Sequence, residues 1–233
     1  MISVCIATYN GERYIKEQIV SILSQIKKSD EIIISDDGST DNTLKVIQSI
    51  GAPNIKLYHN VKEHGYTPNF ENALKLAKGD YVFLADQDDI WAPEKVSVMM
   101  SYLQRYDMVI SDADIINAEG QKISDSYFKE RGSKAGFWNN LVRFSFLGCS
   151  MAFRKEILKR ALPFPPDHTL CTHDNWLGIV AMSYYRTIVI NDKLFHYRRH
   201  TTNTSAGGLL PTTTFFFKLR YRLYLILWLI RHK

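Results

Sequence analysis

The N-terminal half of the chain alternates short, nearly unbroken apolar runs with longer stretches whose apolar residues recur every three or four positions. Residues 2–7 read as a strand buried on both faces, and residues 14–23 as a helix carrying Ile15, Ile19, Ile22 and Leu23 on one stripe. The rhythm continues with predicted strands over 31–35, 55–59, 81–85 and 108–111 and predicted helices over 40–50, 69–77 and 93–106. Ser39 or Thr40 suits the N-cap of the second helix, Gly79 a left-handed C-terminal position of the third, and Pro93 the first turn of the fourth. After residue 111 the pattern loosens. Loop and short strands are expected over 112–131, a helix over 137–146, a small-residue apolar stretch over 147–153, a helix from 155, and another over 174–184. Two paired strands are expected over 187–190 and 194–199.

Strand, helix, strand, helix at this spacing predicts an α/β fold, a mostly parallel sheet with helices on both faces. Ligands of such sheets bind beyond the carboxyl ends of the strands. The polar runs fall there: Thr8-Tyr9-Asn10-Gly11 after the first strand, Asp36-Asp37-Gly38-Ser39 after the second, Asp86-Gln87-Asp88-Asp89 after the fourth. No repeat or low-complexity linker interrupts the chain before Gly207-Gly208. The predicted organisation is a body over 1–206, with a regular half over 1–111 and a less regular half over 112–206, and a short helical tail over 207–233.

Charge changes this picture only once it is located. The 233 residues carry a formal net charge of +5, but from residue 193 onward there are eight Lys or Arg and no acid. The preceding part, with 21 basic and 24 acidic side chains, is slightly acidic. A nucleic-acid protein needs its basic patch on the folded body, so nucleic acid is not an expected partner. Cys5, Cys149 and Cys171 are odd in number and far apart, which predicts reduced thiols rather than a disulfide framework or a zinc site. Met1 leads directly into the first strand without a secretory leader, so a cytoplasmic location is expected.

Three carboxylates within four positions repel one another, and a hard divalent cation, Mg²⁺ or Mn²⁺, would relieve that repulsion through oxygen ligands. The alternative is an acidic helix start, where Asp caps well and suits the helix dipole. One carboxylate of Asp36-Asp37-Gly38-Ser39-Thr40-Asp41 could accept the imide N–H of a uracil or thymine ring, or the run could be a capped strand-to-helix turn. Asp174, beside His173, could take a proton from an attacking hydroxyl, or cap the helix that follows. Tyr197-Arg198-Arg199-His200 could clamp a diphosphate leaving group, or be a solvated basic strand end. Ile90-Trp91 would wall the pocket, and Gly148-Cys149-Ser150 could flank it.

Four segments together resemble the inverting family 2 glycosyltransferases of GT-A fold: Val4-Cys5-Ile6-Ala7-Thr8-Tyr9-Asn10-Gly11, Ile34-Ser35-Asp36-Asp37-Gly38-Ser39-Thr40-Asp41, Phe83-Leu84-Ala85-Asp86-Gln87-Asp88-Asp89-Ile90-Trp91 and His173-Asp174-Asn175-Trp176. The resemblance spans residues 2–205. It implies that Thr8, Tyr9 and Asn10 line the nucleotide site, that Asp37 binds the pyrimidine imide, and that Asp86 leads the motif whose Asp88 binds metal. It places the catalytic base at Asp174, with Arg199 and His200 assisting at the diphosphate or metal. Asp89 is as well suited to capping the helix behind it. The activity implied is Mg²⁺- or Mn²⁺-dependent transfer of one sugar from a pyrimidine nucleotide-sugar to a saccharide or lipid-linked acceptor in bacterial surface polysaccharide synthesis. The acidic run and residues 197–205 look like the rhamnosyltransferase-like branch, which implies dTDP-L-rhamnose as donor, with a UDP-hexose as the alternative. A sugar nucleotidyltransferase and a non-catalytic sugar-binding protein are the rival readings.

The segment 215–233 combines aromatic, apolar and basic residues. Its unbroken apolar run, 223–230, is too short to span a bilayer. It predicts a helix lying on the inner face of the cytoplasmic membrane, or else a core or oligomer-interface helix.

Overall fold

The computed structural model describes residues 1–201, 203 and 214–232. Thr204, Ser205 and the Gly207-Gly208 boundary lie outside the described residues. The elements run in order β1 (Ile2–Thr8), α1 (Ile15–Leu23), β2 (Glu31–Asp36), α2 (Thr43–Ile50), β3 (Ile55–His59), α3 (Tyr66–Leu76), β4 (Tyr81–Asp86), β5 (Ile90–Trp91), α4 (Lys95–Leu103) and β6 (Met108–Ile116). They continue with β7 (Lys122–Ser124), α5 (Tyr127–Arg131), α6 (Phe137–Val142), β8 (Met151–Arg154), α7 (Leu158–Ala161), α8 (His173–Tyr184), β9 (Thr187–Arg198) and α9 (Phe215–Arg231).

One sheet runs in the order β3-β2-β1-β4-β8-β6-β9-β5, with β7 on β6. Its first four strands pair in parallel, as the apolar runs predict. Alternate residues explain why those runs are continuous. Val4, Ile6, Ile32, Ile34 and Phe83 pack on one face with Ile15, Ile19 and Ile22 of α1. Cys5, Ile33, Val82 and Leu84 pack on the other with Phe70 and Leu74 of α3. The chain builds β2 and β3 on one side of β1, then crosses to place β4 on the other. The crevice beyond β1 and β4 is therefore the switch point at which open α/β sheets hold ligands.

The second half departs from the sequence pattern in several ways. The two strands expected over 187–190 and 194–199 are one strand, β9, pairing in parallel with β6 and antiparallel with β5. Residues 191–193 are exposed and the register shifts beside them, so a polar triplet that reads as a turn is a bulged stretch of strand. β6 extends to Ile116, through the 111/112 point that divides the expected halves, and β8 inserts antiparallel between β4 and β6. Ile90 and Trp91 form β5 instead of walling the pocket. The helix expected over 137–146 ends at Val142.

Gly79 is not a left-handed cap. Its Cα lies so close to β1 that a Cβ would come 2.6 Å from the Ser3 amide nitrogen, while its own N–H donates to Ser3 Oγ at 2.7 Å. The requirement is for closeness, not for positive φ. The second helix begins at Thr43 with Asn42 as N-cap, while Ser39 instead donates to Asp36 Oδ1 at 2.5 Å.

Helix α9 does not hang free. Leu225 and Leu229 are buried in the second core, Tyr224 Oη accepts from the Asp167 amide at 2.9 Å, and Tyr184 Oη donates to the Leu229 carbonyl at 2.9 Å. Its other face, with Phe215, Phe216, Leu219, Leu223, Leu227 and Ile230, is exposed. Among the described residues no helix is long and apolar enough to cross a membrane.

Candidate active site

A cavity of about 600 Å³ opens beyond the carboxyl ends of β1, β2 and β4. Thr8, Tyr9, Asp37, Asp86, Asp88 and Asp174, predicted from separate segments, all line it. Asn10, Arg199 and His200 do not.

The first loop is tied to the third by Gln87, a residue whose role the sequence does not announce. Its Oε1 accepts from Thr8 Oγ1 at 2.7 Å and from the Tyr9 amide at 2.9 Å, and its Nε2 donates to the Tyr9 carbonyl at 3.1 Å. Asn10, at φ 48°, joins the first loop to the second: its amide donates to Ser39 Oγ at 2.9 Å and its Oδ1 accepts from the Thr40 amide at 2.8 Å. Asn is among the few residues that tolerate this backbone region. Thus Asn10 braces the site from beside the cavity.

Asp36 and Asp37 divide their work. Asp36 is buried and caps its own turn through the Gly38 and Ser39 amides, both at 3.0 Å. Asp37 faces the cavity: Oδ2 accepts from the Gly65 amide at 2.8 Å and pairs with His64 Nδ1 at 2.9 Å, and Oδ1 accepts from Asn60 Nδ2 at 2.7 Å. A carboxylate oxygen has two lone pairs, so Oδ1 retains an acceptor position. Tyr9, 43% exposed, lies with its ring centroid 4.7 Å from that of His64, giving the mouth of the cavity an aromatic edge.

The acidic run itself separates into three environments. Burial, then the charges of Asp88 and Asp174, pushes the Asp86 carboxyl up to about 7. Burial and the charges of Asp88 and Asp86 push Asp89 well above the usual carboxylate range. Asp89 does not cap a helix. Its Oδ1 accepts from the Arg198 amide at 3.0 Å, and among the described residues its Oδ2 has no hydrogen-bond partner in the buried space beneath the site. Under both lies Lys95, fully buried between the rings of Trp91 and Phe195 at 4.8 and 4.2 Å, its Nζ donating to the Cys149 carbonyl at 2.7 Å. Burial pulls its pKa down to about 8, against the opposing pull of Asp89 and Asp86. On the sequence Lys95 is one polar position in an amphipathic helix, and nothing there marks it.

Asp88 is different. Its Oδ2 meets His200 Nε2 at 2.8 Å and Asn203 Nδ2 at 3.1 Å, which brings a residue more than a hundred positions away onto the acidic run. Arg198, read with its neighbours as a diphosphate clamp, is instead buried and internally committed. It donates to the Asp88 carbonyl at 2.8 Å and to Glu17 Oε2 at 2.7 Å, and so holds the turn that aims Asp88. Arg199 donates its amide to the Ile116 carbonyl at 2.8 Å, continuing the β6–β9 ladder.

These donors fit a divalent cation. Asp88 on the cavity wall and His200 against it supply one carboxylate and one imidazole, oxygen chemistry suited to Mg²⁺ or Mn²⁺ with a softer nitrogen favouring Mn²⁺. Among the described residues a second group, Asp86, Asp89 and Cys149, brings its ligand atoms within 4.8 Å of one another. That group already has the Lys95 charge beside it, and it fits a cation less well than the Asp88–His200 pair.

On the opposite wall stands α8. Thr172 precedes it and His173 opens it, so Asp174 lies in its first turn rather than at its cap. Asp174 Oδ1 accepts from Thr172 Oγ1 and, at 2.7 Å, from the Asn175 amide, while Oδ2 makes no hydrogen bond among the described residues. Around it Tyr66, Phe70, Phe144, Phe146 and Leu147 give this end of the cavity apolar walls, with Arg131 among them.

Residues 3–162 match the family model described as Glycosyl transferase family 2. The chain belongs to this family. The glycosyltransferase is similar to the UDP-Glc:alpha-D-GlcNAc-diphosphoundecaprenol beta-1,3-glucosyltransferase WfaP of Escherichia coli, 38% identical over 89% of this chain and 80% of that protein. It is also similar to the dTDP-rhamnosyl transferase RfbG of Shigella flexneri, 29% identical over 93% of this chain and 76% of that protein. Among solved structures, Staphylococcus aureus TarS 1-349 is 25% identical over 84% of this chain and 60% of that one, with a TM-score of 0.66. The chain spans 38% of the full-length TarS sequence. Glucosyl-3-phosphoglycerate synthase of Mycobacterium tuberculosis, solved with Mn²⁺ and UDP, shares the fold at 21% identity over 86% of this chain and 72% of that one, with a TM-score of 0.61. Membership sets aside the nucleotidyltransferase and non-catalytic readings.

Proposed function

We propose that this glycosyltransferase moves one sugar, with inversion, from a pyrimidine nucleoside diphosphate sugar to a hydroxyl of a lipid-linked saccharide in bacterial surface polysaccharide synthesis. The observation that carries the proposal is the meeting of Asp37, Asp88 and Asp174, from three separate segments, on the walls of one cavity. Asp37 keeps an acceptor position for a pyrimidine imide N–H, and Tyr9 offers its exposed ring to the base. Asp88 and His200 would hold Mg²⁺ or Mn²⁺, whose Lewis acidity favours departure of the diphosphate. Asp174 Oδ2 takes the proton of the acceptor hydroxyl as that oxygen attacks the anomeric carbon. A single in-line displacement inverts the centre.

The acidic run and residues 197–205 suggest a dTDP-L-rhamnose donor, and the name of RfbG agrees. WfaP, at higher identity, is named for UDP-Glc. The assay that tests the proposal releases UDP or dTDP from both donors with Mn²⁺ present. Asp37→Asn retains an acceptor for the Gly65 amide but loses the charge. It should raise KM for the pyrimidine donor roughly 10- to 100-fold, the worth of one charge-assisted hydrogen bond, with little change in kcat. An unchanged KM would remove Asp37 from base recognition.

The outward face of α9 supports contact with the inner face of the cytoplasmic membrane: apolar residues from Phe215 to Ile230 lie beside the exposed Lys218 and Arg231. Deleting α9 would uncover the core around Leu225 and Leu229, so point changes on the exposed face are the sharper test. Lys218→Ser should weaken binding to anionic vesicles by about fivefold, and leave weak binding to zwitterionic vesicles unchanged. Binding to neither vesicle type would assign this face to a protein contact.

A further inference from the structure

His173 is a polar side chain enclosed at the end of the cavity where Asp174 works. The residue is 5% exposed, and neither ring nitrogen has a hydrogen-bond partner among the described residues. Its ring stacks on Phe70 with centroids 4.1 Å apart and meets the edge of Tyr66 at 5.8 Å. Those contacts fix the plane of the imidazole and satisfy neither nitrogen. Across from it Gly148 leaves space that no other residue would leave, because a Cβ there would come within 2.5 Å of Nε2. Buried polar groups in folded proteins are almost always hydrogen-bonded, and the exceptions cluster where a ligand completes them. Here the unmet nitrogens border a cavity that must hold the reacting sugars.

We propose that His173 is a specificity-determining residue that hydrogen-bonds a saccharide hydroxyl next to the reacting centre. The chemistry of the surroundings selects that ligand over the diphosphate. Burial pulls the imidazole below its ordinary pKa, against the opposing influence of Asp174, so the ring at neutral pH is uncharged. A neutral imidazole offers one N–H donor and one acceptor, the pattern of a hydroxyl group, and it gives a phosphate no counter-charge. The apolar walls of Tyr66, Phe70, Phe144 and Leu147 likewise suit the C–H face of a sugar ring and not an anion. The hydroxyl comes from either the transferred sugar or the acceptor sugar. The inference rests on the cavity being the nucleotide-sugar site proposed above.

The test compares wild type, His173→Phe and His173→Asn. Phe keeps the stack on Phe70 and removes both nitrogens, whereas Asn restores a donor and an acceptor. Three quantities are read: UDP and dTDP affinity by calorimetry, acceptor-free hydrolysis of UDP-glucose and dTDP-L-rhamnose, and transfer from each to a synthetic GlcNAc-diphospho-lipid. In His173→Phe the nucleotide Kd should stay within about twofold, while kcat/KM falls roughly 10- to 100-fold and His173→Asn recovers part of the loss. A fall in both hydrolysis and transfer places the hydroxyl on the donor sugar, and a fall in transfer alone places it on the acceptor. A folded His173→Phe with wild-type hydrolysis and transfer overturns the inference and leaves the donor-site proposal standing. So does a variant whose nucleotide affinity falls in step with its turnover. A wild type that hydrolyses neither donor and transfers from neither overturns both.

Discussion

Asp174→Asn should abolish sugar transfer while leaving the donor bound. Among the described residues the carboxylate makes its two hydrogen bonds through Oδ1, one accepted from the Asn175 amide and one from Thr172. An asparagine oxygen can accept the same two, so the start of α8 should survive the change. What disappears is the basic Oδ2 that faces the cavity. A positioned general base is worth about 10²- to 10⁴-fold, and with a weakly acidic sugar hydroxyl as nucleophile the loss in kcat should lie toward the upper end. Steady-state transfer to a lipid-linked acceptor, with nucleotide affinity measured separately, checks this. A kcat within tenfold of wild type would mean that the proton goes elsewhere and would sink the role given to Asp174.

Asp88→Ala should have an effect of similar size by a different route. It removes the carboxylate that faces the cavity and leaves His200 without its 2.8 Å partner. Lewis-acid assistance contributes several kcal/mol, so turnover should fall by about 10²- to 10⁴-fold. Excess EDTA should reduce wild-type activity to a comparable level, restored by Mn²⁺ better than by Mg²⁺. In Asp88→Ala, EDTA should have little left to remove. Full wild-type turnover in EDTA would show that the Asp88–His200 pair is a structural hydrogen bond.

The two substitutions test residues that differed in how readily they could be read. Asp174 stands next to a histidine at the start of a helical pattern, and its neighbours alone could not separate a base from a cap. The structure removes capping as its task, because Thr172 holds the cap position. Asp88 could be picked from a four-residue run, but its partner could not. His200 reaches it because β9 pairs antiparallel with β5, the strand that follows the acidic turn, and so carries its far end back to Asp88. Arg198 shows the same limit from the other side. A basic cluster at a strand end reads as a solvated or ligand-binding group, yet its guanidinium is buried on Glu17 and the Asp88 carbonyl.

By itself the sequence determined the α/β class, the first four strands and the three polar turns at their carboxyl ends. These signals are local: period, strand length and turn chemistry are written in contiguous residues. The four segments also sufficed for the family, because their order along the chain is itself a local property. Only the tertiary structure decided the insertion of β8 between β4 and β6, the unity of β9, the docking of α9, and the surroundings of Gln87, Lys95 and His173. Each of these depends on which distant segments meet. A glutamine in a turn, a lysine in a helix and a histidine beside an aspartate have no special pattern of their own. What makes them matter is the loop, the ring pair or the unfilled space that another part of the chain brings against them.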